Sequence, residues 1–284
     1  MPRELVSVVI PCYNQAQFLA RAVESALAQT HPPLDVIVVD DGSTDDTLQV
    51  ARGYPVRIIS QRRQGVCAAV NNGVAACAGD FFLRLDADDE LEPTYVEETL
   101  AALRGSPGAA FAYTEFVHFG ARTGSYPVEE FSAESLAERN YVHASALMRT
   151  SAFRAVGGYD PRMTNARCED WDLWLAFADR GFAGILVRRP LLRYRAHRAA
   201  SRNTLAWTSG QFWARNLRMV ARLQDNHPVL FAPRALVHRL ARLPRRVLKH
   251  EVSARFAVLL VGMYGVMLLR YTLKLGARRV ASAT

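Results

Sequence analysis

Four short runs rich in Val, Ile, Leu and Phe stand at Leu5–Ile10, Leu34–Asp40, Val56–Ser60 and Phe81–Leu85. Unbroken apolar runs of this length mark strands buried on both faces. The stretches between them, Gln15–Gln29, Asp46–Arg52 and Gly65–Ala78, read as helices. In the first, Phe18, Leu19, Ala22, Val23, Ala26 and Leu27 make one apolar stripe. Parallel strands need long crossovers, so this β-α-β-α-β-α-β alternation predicts a doubly wound, mostly parallel α/β sheet flanked by helices. Ligands of such sheets bind beyond the carboxyl ends of the strands. Pro11-Cys12-Tyr13-Asn14, Asp40-Asp41 and Asp86–Asp89 all fall at such ends and can converge on one site.

The fourth run leads straight into Asp86-Ala87-Asp88-Asp89-Glu90, four carboxylates in five positions. Burying that many without partners is very costly. Either the strand delivers them to a cleft that holds a cation, or they form a solvated turn before the helix that begins near Pro93. On extended chain Asp86 and Asp88 project from one side. Hard oxygen donors suit Mg²⁺ or Mn²⁺, which keep waters and also take a substrate phosphate. Asp89 is a candidate cap for the next helix.

Farther on, residues 93–103 read as a helix and Ala109–Phe119 as a strand, followed by a polar stretch over residues 120–140. Gly157-Gly158-Tyr159-Asp160 is a turn before a helix over Glu169–Arg180, striped by Trp171, Trp174, Leu175 and Ala178. Glu169 and Asp170 lie in its first turn, where the helix dipole favours the ionised carboxylate.

Val6-Ser7-Val8-Val9-Ile10-Pro11-Cys12-Tyr13-Asn14, then Val38-Val39-Asp40-Asp41-Gly42-Ser43-Thr44-Asp45, then Leu85-Asp86-Ala87-Asp88-Asp89 resemble the family 2 glycosyltransferases in sequence and in order. Cys168-Glu169-Asp170-Trp171-Asp172-Leu173-Trp174 is similar to that family's Glu-Asp-Trp-Asp-Leu helix. The resemblance covers about residues 5–200 and is specific because four ordered motifs match. It implies a GT-A fold and inverting transfer of a sugar from a nucleotide diphosphate sugar, a UDP-sugar by default. By the same resemblance, Pro11, Tyr13, Asp40, Asp41 and Asp86 bind the nucleotide, and Asp88 binds Mn²⁺ or Mg²⁺. Asp170 is the general base. Two readings of Asp41 stay open, ligand or turn cap. Asn140–Arg149 resembles the strand under the acceptor, where His143 is a candidate contact beside Glu169. Leu191–His197 resembles the Tyr-Arg-x-His segment of non-processive relatives. Arg195 could then face the diphosphate and His197 complete the metal shell, or the segment is a basic strand facing a membrane. One departure stands at Val70, where many relatives carry an Arg for the diphosphate. Arg62 or Arg63 could substitute, and Asn71 and Gly73 could serve packing or binding.

Charge divides the chain. Residues 1–187 hold 15 Lys and Arg against 25 Asp and Glu, and residues 188–284 hold 20 against 2. Such a split points the tail at an anionic surface, membrane or nucleic acid. Salt-dependent DNA binding would rest on the tail alone, so no nucleic-acid partner is expected. The expected organisation is a catalytic domain over residues 1–204 and a helical, basic, membrane-associating region over 205–284. In the latter, Leu205–Leu223 reads as a helix. Arg234, Arg239, Arg242, Arg245, Arg246 and Lys249 make a basic stretch, and Phe256–Leu269 is apolar throughout. That run falls short of the roughly 20 residues needed to span a bilayer. It fits a helix in the membrane interface, a buried bundle helix or an oligomer contact. Cys12, Cys67, Cys77 and Cys168 form no CxxC pair and read as buried thiols in a reducing compartment. Leu5–Ile10 is too short for a signal peptide. The expected place is therefore cytoplasmic, peripheral on the inner face of the cell membrane. Expected partners are a nucleotide-sugar donor, a glycan or lipid-linked acceptor and that anionic surface, with homo-oligomers possible. The competing functions are a sugar nucleotidyltransferase, which should carry a Gly-rich basic phosphate loop after the first strand, and a catalytically silent glycan- or nucleotide-binding module.

Overall fold

The structure is a computed structural model, and it describes residues 4–31, 33–126, 128–164, 168–197, 219–248 and 261–273. Two compact units divide the chain, Met1–Leu205 and Ala206–Thr284. The first opens with β1 (Val6–Cys12), α1 (Ala16–Leu27), β2 (Leu34–Asp40), α2 (Thr47–Arg52), β3 (Arg57–Ser60), α3 (Val66–Ala75) and β4 (Phe81–Arg84). These are the elements that apolar periodicity predicts. Next come β5 (Glu90–Leu91), α4 (Tyr95–Gly105), β6 (Ala109–Gly120), β7 (Gly124–Tyr126), α5 (Ala133–Leu136), β8 (Leu147–Arg149), α6 (Thr150–Ala155), α7 (Glu169–Asp179) and β9 (Ala183–Ala196).

The sheet runs β3-β2-β1-β4-β8-β6-β9-β5, with β7 added to β6. Its β3-β2-β1-β4 half is parallel. Register pairs Cys12 with Asp40, so β1 and β2 end together, and pairs Val9 with Arg84, so β4 leaves the ladder three residues earlier and its acidic continuation runs beside the end of β1. The other half is mixed. β8 is antiparallel to both β4 and β6, whereas β9 is parallel to β6 and antiparallel to β5. Of the expected strand over Asn140–Arg149, only Leu147–Arg149 is extended in a ladder. Residues 140–146 instead form irregular chain, which leaves their side chains free to line a cleft. β9 is 14 residues long and was legible beforehand only in its last part. Its register against β6 shifts around Glu115 and Pro190. Proline has no N–H for the ladder, so a break there is expected.

Burial explains the packing. On one face α1 and α4 cover Val8, Ile10, Val38 and Leu83 with Leu19, Val23, Val96 and Leu100. On the other, α3 lies so close that a Cβ on Gly73 would sit 2.4 Å from Val9. Asn71 turns away from the strands, its side-chain amide pairing with both backbone groups of Tyr159 (2.8 and 3.0 Å). Both residues therefore serve packing. Farther along, Phe111 of β6 stacks on Trp174 and Phe177 of α7, with centroids 4.6 and 5.4 Å apart. Aromatic packing of this kind fixes α7, whose first turn carries Glu169 and Asp170.

The second unit is helical, over residues 219–226, α8 (Pro233–Leu248) and residues 261–273. Tyr264 and Met267 are fully buried, and Gln224 Nε2 donates to the Met267 carbonyl at 2.8 Å. Val261, Leu269 and Leu273 remain exposed on one stripe. Arg239 is only 6% exposed and donates to the Leu230 carbonyl, so it is withdrawn from the basic stretch. The first part of the Leu205–Leu223 helix, the start of the Phe256–Leu269 run and Lys249 lie outside the described residues, as do the side chains of Arg245 and Arg246. Among the described residues no helix is long and apolar enough to cross a membrane.

Candidate active site

At the carboxyl end of the parallel half is a cleft of about 330 Å³. Pro11, Tyr13, Asp41, Asp86, Asp88 and Glu169 are among its lining residues. The loop after β1 is locked to the loop after β2 by Asn14, the one non-glycine with positive φ (54°) among the described residues. Its N–H donates to Ser43 Oγ (3.0 Å), and its side-chain oxygen accepts from the Thr44 N–H (2.8 Å).

Asp40 and Asp41 diverge. Asp40 is buried and accepts the Ser43 N–H at 3.0 Å, and it does not line the cleft. Asp41 lines it, and its carboxylate accepts from Gln61 Nε2, Gln64 N–H and Gly65 N–H at 2.7–2.8 Å. Asp41 thus shapes the loop ahead of α3. Gly65 there has φ +93°, and a Cβ would sit 2.0 Å from Thr164. Val70 is fully buried. Arg63 does not stand free either: it lies over the Tyr13 ring at 3.9 Å and donates to the Tyr13 hydroxyl at 2.9 Å.

Asp88 and His197 are 109 residues apart in sequence, yet Asp88 Oδ2 and His197 Nε2 lie 2.6 Å from each other. No group of three or more His, Cys, Asp or Glu side chains converges as a metal site among the described residues. A carboxylate oxygen and an imidazole nitrogen so close can share one divalent ion, with substrate oxygens and waters completing its shell. Arg195 holds this corner together. Its backbone N–H donates to Asp89, and its guanidinium donates to the Asp88 carbonyl (2.8 Å) while lying between Phe18 and Phe119. Arg195 therefore positions the Asp88 loop. Asp89 does not cap α4, whose N-cap position is Thr94; it accepts the Arg195 N–H instead, and burial, with Asp86 and Asp88 nearby, raises its pKa well above the usual range.

A second cleft, about 500 Å³, adjoins the first and shares Val66, Arg84, Asp86 and Glu169 with it. Asp170 lines this one. Its carboxylate accepts from Asn140 Nδ2 (3.0 Å) and from the Trp171 N–H (2.8 Å). Burial, reinforced by the Glu169 charge and opposed by Arg84, raises its pKa to about 7. His143 also lines this cleft, with Nε2 within 3.1 Å of the Thr114 carbonyl. Burial lowers its pKa to about 4, so the ring is neutral.

Arg84 went unassigned in the sequence reading, although a lone charge in an apolar strand beside four acids was the available signal. Only 4% exposed, it donates through Nε to Asp86 (2.8 Å) and through Nη2 to Glu169 (3.2 Å). One buried cation thus joins the end of β4 to the first turn of α7.

Residues 7–163 match the family described as Glycosyl transferase family 2. The chain belongs to that family. Among its relatives is the chondroitin synthase of Escherichia coli, 35% identical over 62% of this chain and 27% of the relative, so the chain spans about a quarter of that protein. Another is the putative glycosyltransferase EpsE of Bacillus subtilis, 31% identical over 67% of this chain and 72% of the relative. In fold this family 2 member is similar to Staphylococcus aureus TarS, residues 1–349, solved with UDP-GlcNAc. The TM-score is 0.62 and identity 16%, over 78% of this chain and 66% of that one. It is also similar to the mannosyltransferase PcManGT of Pyrobaculum calidifontis, solved with GDP-Man and Mn²⁺. The TM-score there is 0.58 and identity 19%, over 99% and 86% of the two chains. The fold is that of the GT-A glycosyltransferases.

Removing the buried cation tests the arrangement. Arg84→Met should lower unfolding free energy by about 3 kcal/mol, because two carboxylates lose their partner, and Arg84→Lys should recover part of it. Guanidinium denaturation checks this: an unchanged midpoint in Arg84→Met would mean the guanidinium does not hold them.

Proposed function

We propose that the protein is an inverting, non-processive glycosyltransferase. It would move a sugar from a nucleotide diphosphate sugar, by default a UDP-sugar, to a hydroxyl of a glycan or lipid-linked acceptor. The observation that carries this reading is the pair of adjoining clefts. Strand-end carboxylates line one, Asp170 lines the other, and Arg84, Asp86 and Glu169 belong to both. Relatives named chondroitin synthase and hyaluronan synthase support a role in making polysaccharide.

The nucleotide would lie in the first cleft against Pro11, Tyr13 and Asp41, with Asp86 toward the ribose. Asp40 would act from behind, by holding the turn at Ser43. Asp88 and His197 would hold Mn²⁺ or Mg²⁺, which when bound neutralises charge developing on the diphosphate. The acceptor hydroxyl, in the second cleft, would attack the anomeric carbon as the bond to the diphosphate oxygen breaks on the opposite side. Asp170 takes the hydroxyl proton, and the nucleoside diphosphate leaves with the bonding pair. No covalent protein intermediate is needed.

Two experiments test this chemistry. Asp88→Ala should abolish both turnover and the metal-dependent part of UDP binding while melting near wild type; full activity in EDTA would sink the metal assignment. Asp170→Asn should lower turnover by at least about 10²-fold with little change in donor affinity. Because the base works only when ionised, the wild-type rate should rise with pH through about 7 and be lost below it. An acid limb centred near pH 4, the ordinary carboxylate range, would argue for another base.

The tail supports peripheral attachment to an anionic membrane surface, which would set the enzyme beside lipid-carried acceptors at the inner face of the cell membrane. Arg234 and Arg242 lie on α8, and Val261, Leu269 and Leu273 form an exposed stripe. Each basic side chain near such a surface adds about 1 kcal/mol. The full-length protein should float with vesicles containing phosphatidylserine and detach as salt rises. If it ignores them at low salt, the tail is a packing or oligomerisation element.

A further inference from the structure

The second cleft has a wall that the proposed mechanism leaves unused. Phe116 of β6 faces Tyr126 of β7 across the ladder, and their rings stack at 5.1 Å with 15° between planes. Tyr194 of β9 joins them, 5.6 Å from Phe116 and 5.5 Å from His118. All four side chains line the cleft that also holds Asp170. Tyr126 is 53% exposed and Tyr194 40% exposed, unusual for large rings without a reason to meet solvent.

The remaining chemistry of the cleft is polar, with the exposed Arg122 at its rim, its guanidinium 2.9 Å from His118 Nε2. Asn140 reaches Asp170, and His118 and His143 are buried, each with Nδ1 lacking a partner among the described residues. His143 is neutral for the reason given above. The buried cation of the cleft, Arg84, is already shared by two carboxylates. An aromatic face is electron-rich and attracts C–H groups, whereas amide and imidazole groups bond hydroxyls, which can serve either tautomer. One ligand class carries both surfaces on a single small ring.

Resting on the glycosyltransferase reading, we propose that the acceptor group is a pyranose of a glycan, its C–H face against Phe116, Tyr126 and Tyr194 and its hydroxyls toward Asn140, His143 and Asp170. A bare lipid chain would leave those polar groups unpaired. A serine or threonine hydroxyl has no apolar face to cover the rings. A polyol phosphate would find a cation in Arg122 but has no apolar ring face to cover Phe116, Tyr126 and Tyr194.

Saturation-transfer NMR on the full-length protein, with UDP and the diamagnetic Mg²⁺ present, tests this directly. The probes are methyl β-glucopyranoside, methyl β-galactopyranoside and glycerol 1-phosphate. At least one pyranoside should be saturated, most strongly on the C–H protons of one ring face, and glycerol 1-phosphate should not. Tyr126→Ala and Tyr194→Ala should each reduce that signal by at least about threefold, the scale of one ring contact, and Tyr126→Phe should restore it. UDP binding, measured separately by calorimetry, should stay unchanged in all three variants. Pyranoside signals absent from wild type, or untouched by both alanine variants, overturn the proposal even if UDP binds normally. Saturation of glycerol 1-phosphate alone overturns it in favour of a polyol phosphate acceptor. Loss of UDP binding in the wild type would instead strike the donor reading, and the pyranoside result would still decide this one.

Discussion

A buried cation between two carboxylates is the constraint around which the site is arranged. Arg84 is almost wholly withdrawn from water, and an uncompensated guanidinium there would be prohibitive. It is tolerated because Asp86 and Glu169 approach from two different elements. The same contacts have a geometric effect, since they tie the end of β4 to the start of α7. Asp170 follows Glu169 directly, so the proposed base stands at a fixed distance from the strand-end carboxylates. The electrostatic effect is coupled to this. Glu169 pushes the proton affinity of Asp170 up, and Arg84 restrains the rise.

Around that pair, the change in sheet character makes two clefts. In the parallel half, the ends of β1, β2 and β4 open onto one side, as any doubly wound sheet requires. Beyond β4 the strands reverse, and the chain over residues 140–146 lies in irregular form beside the sheet. Its backbone departs from the ladder, so Asn140 and His143 come to line a wall. β9 then passes along β6 and reaches back to β5. It carries Arg195 to the Asp88 loop and His197 to Asp88 itself. The proposed metal site therefore depends on the longest strand of the sheet, whose Arg195 also lies against the rings of Phe18 and Phe119.

Much of this was legible beforehand, because the relevant physics is local. Apolar runs and helical stripes report burial at the scale of single elements, and they locate β1 to β4 and the helices between them. Strand ends carry their polar residues with them, so the convergence of the Pro11, Asp41 and Asp86 segments follows from connectivity alone. The run of acids after β4 and the family motifs drew attention to Asp88 and Asp170 without any coordinates.

Other features rest on contacts between residues far apart in the chain, and no local pattern reports those. Asp40 and Asp41 are neighbours with the same side chain, and only the fold turns one to a backbone turn and the other to the cleft. Arg195 has the chemistry of a phosphate ligand, but Asp88, Glu90 and two phenylalanines surround it and make it a brace. Phe116, Tyr126 and Tyr194 look like ordinary core or surface residues in sequence; the hairpin and β9 register assemble them into a wall. Composition and periodicity thus determined the parallel half of the sheet, its strand-end carboxylates and the basic tail. Tertiary structure decided which charges meet, because partners for a buried charge are set by approach in space and not by spacing along the chain.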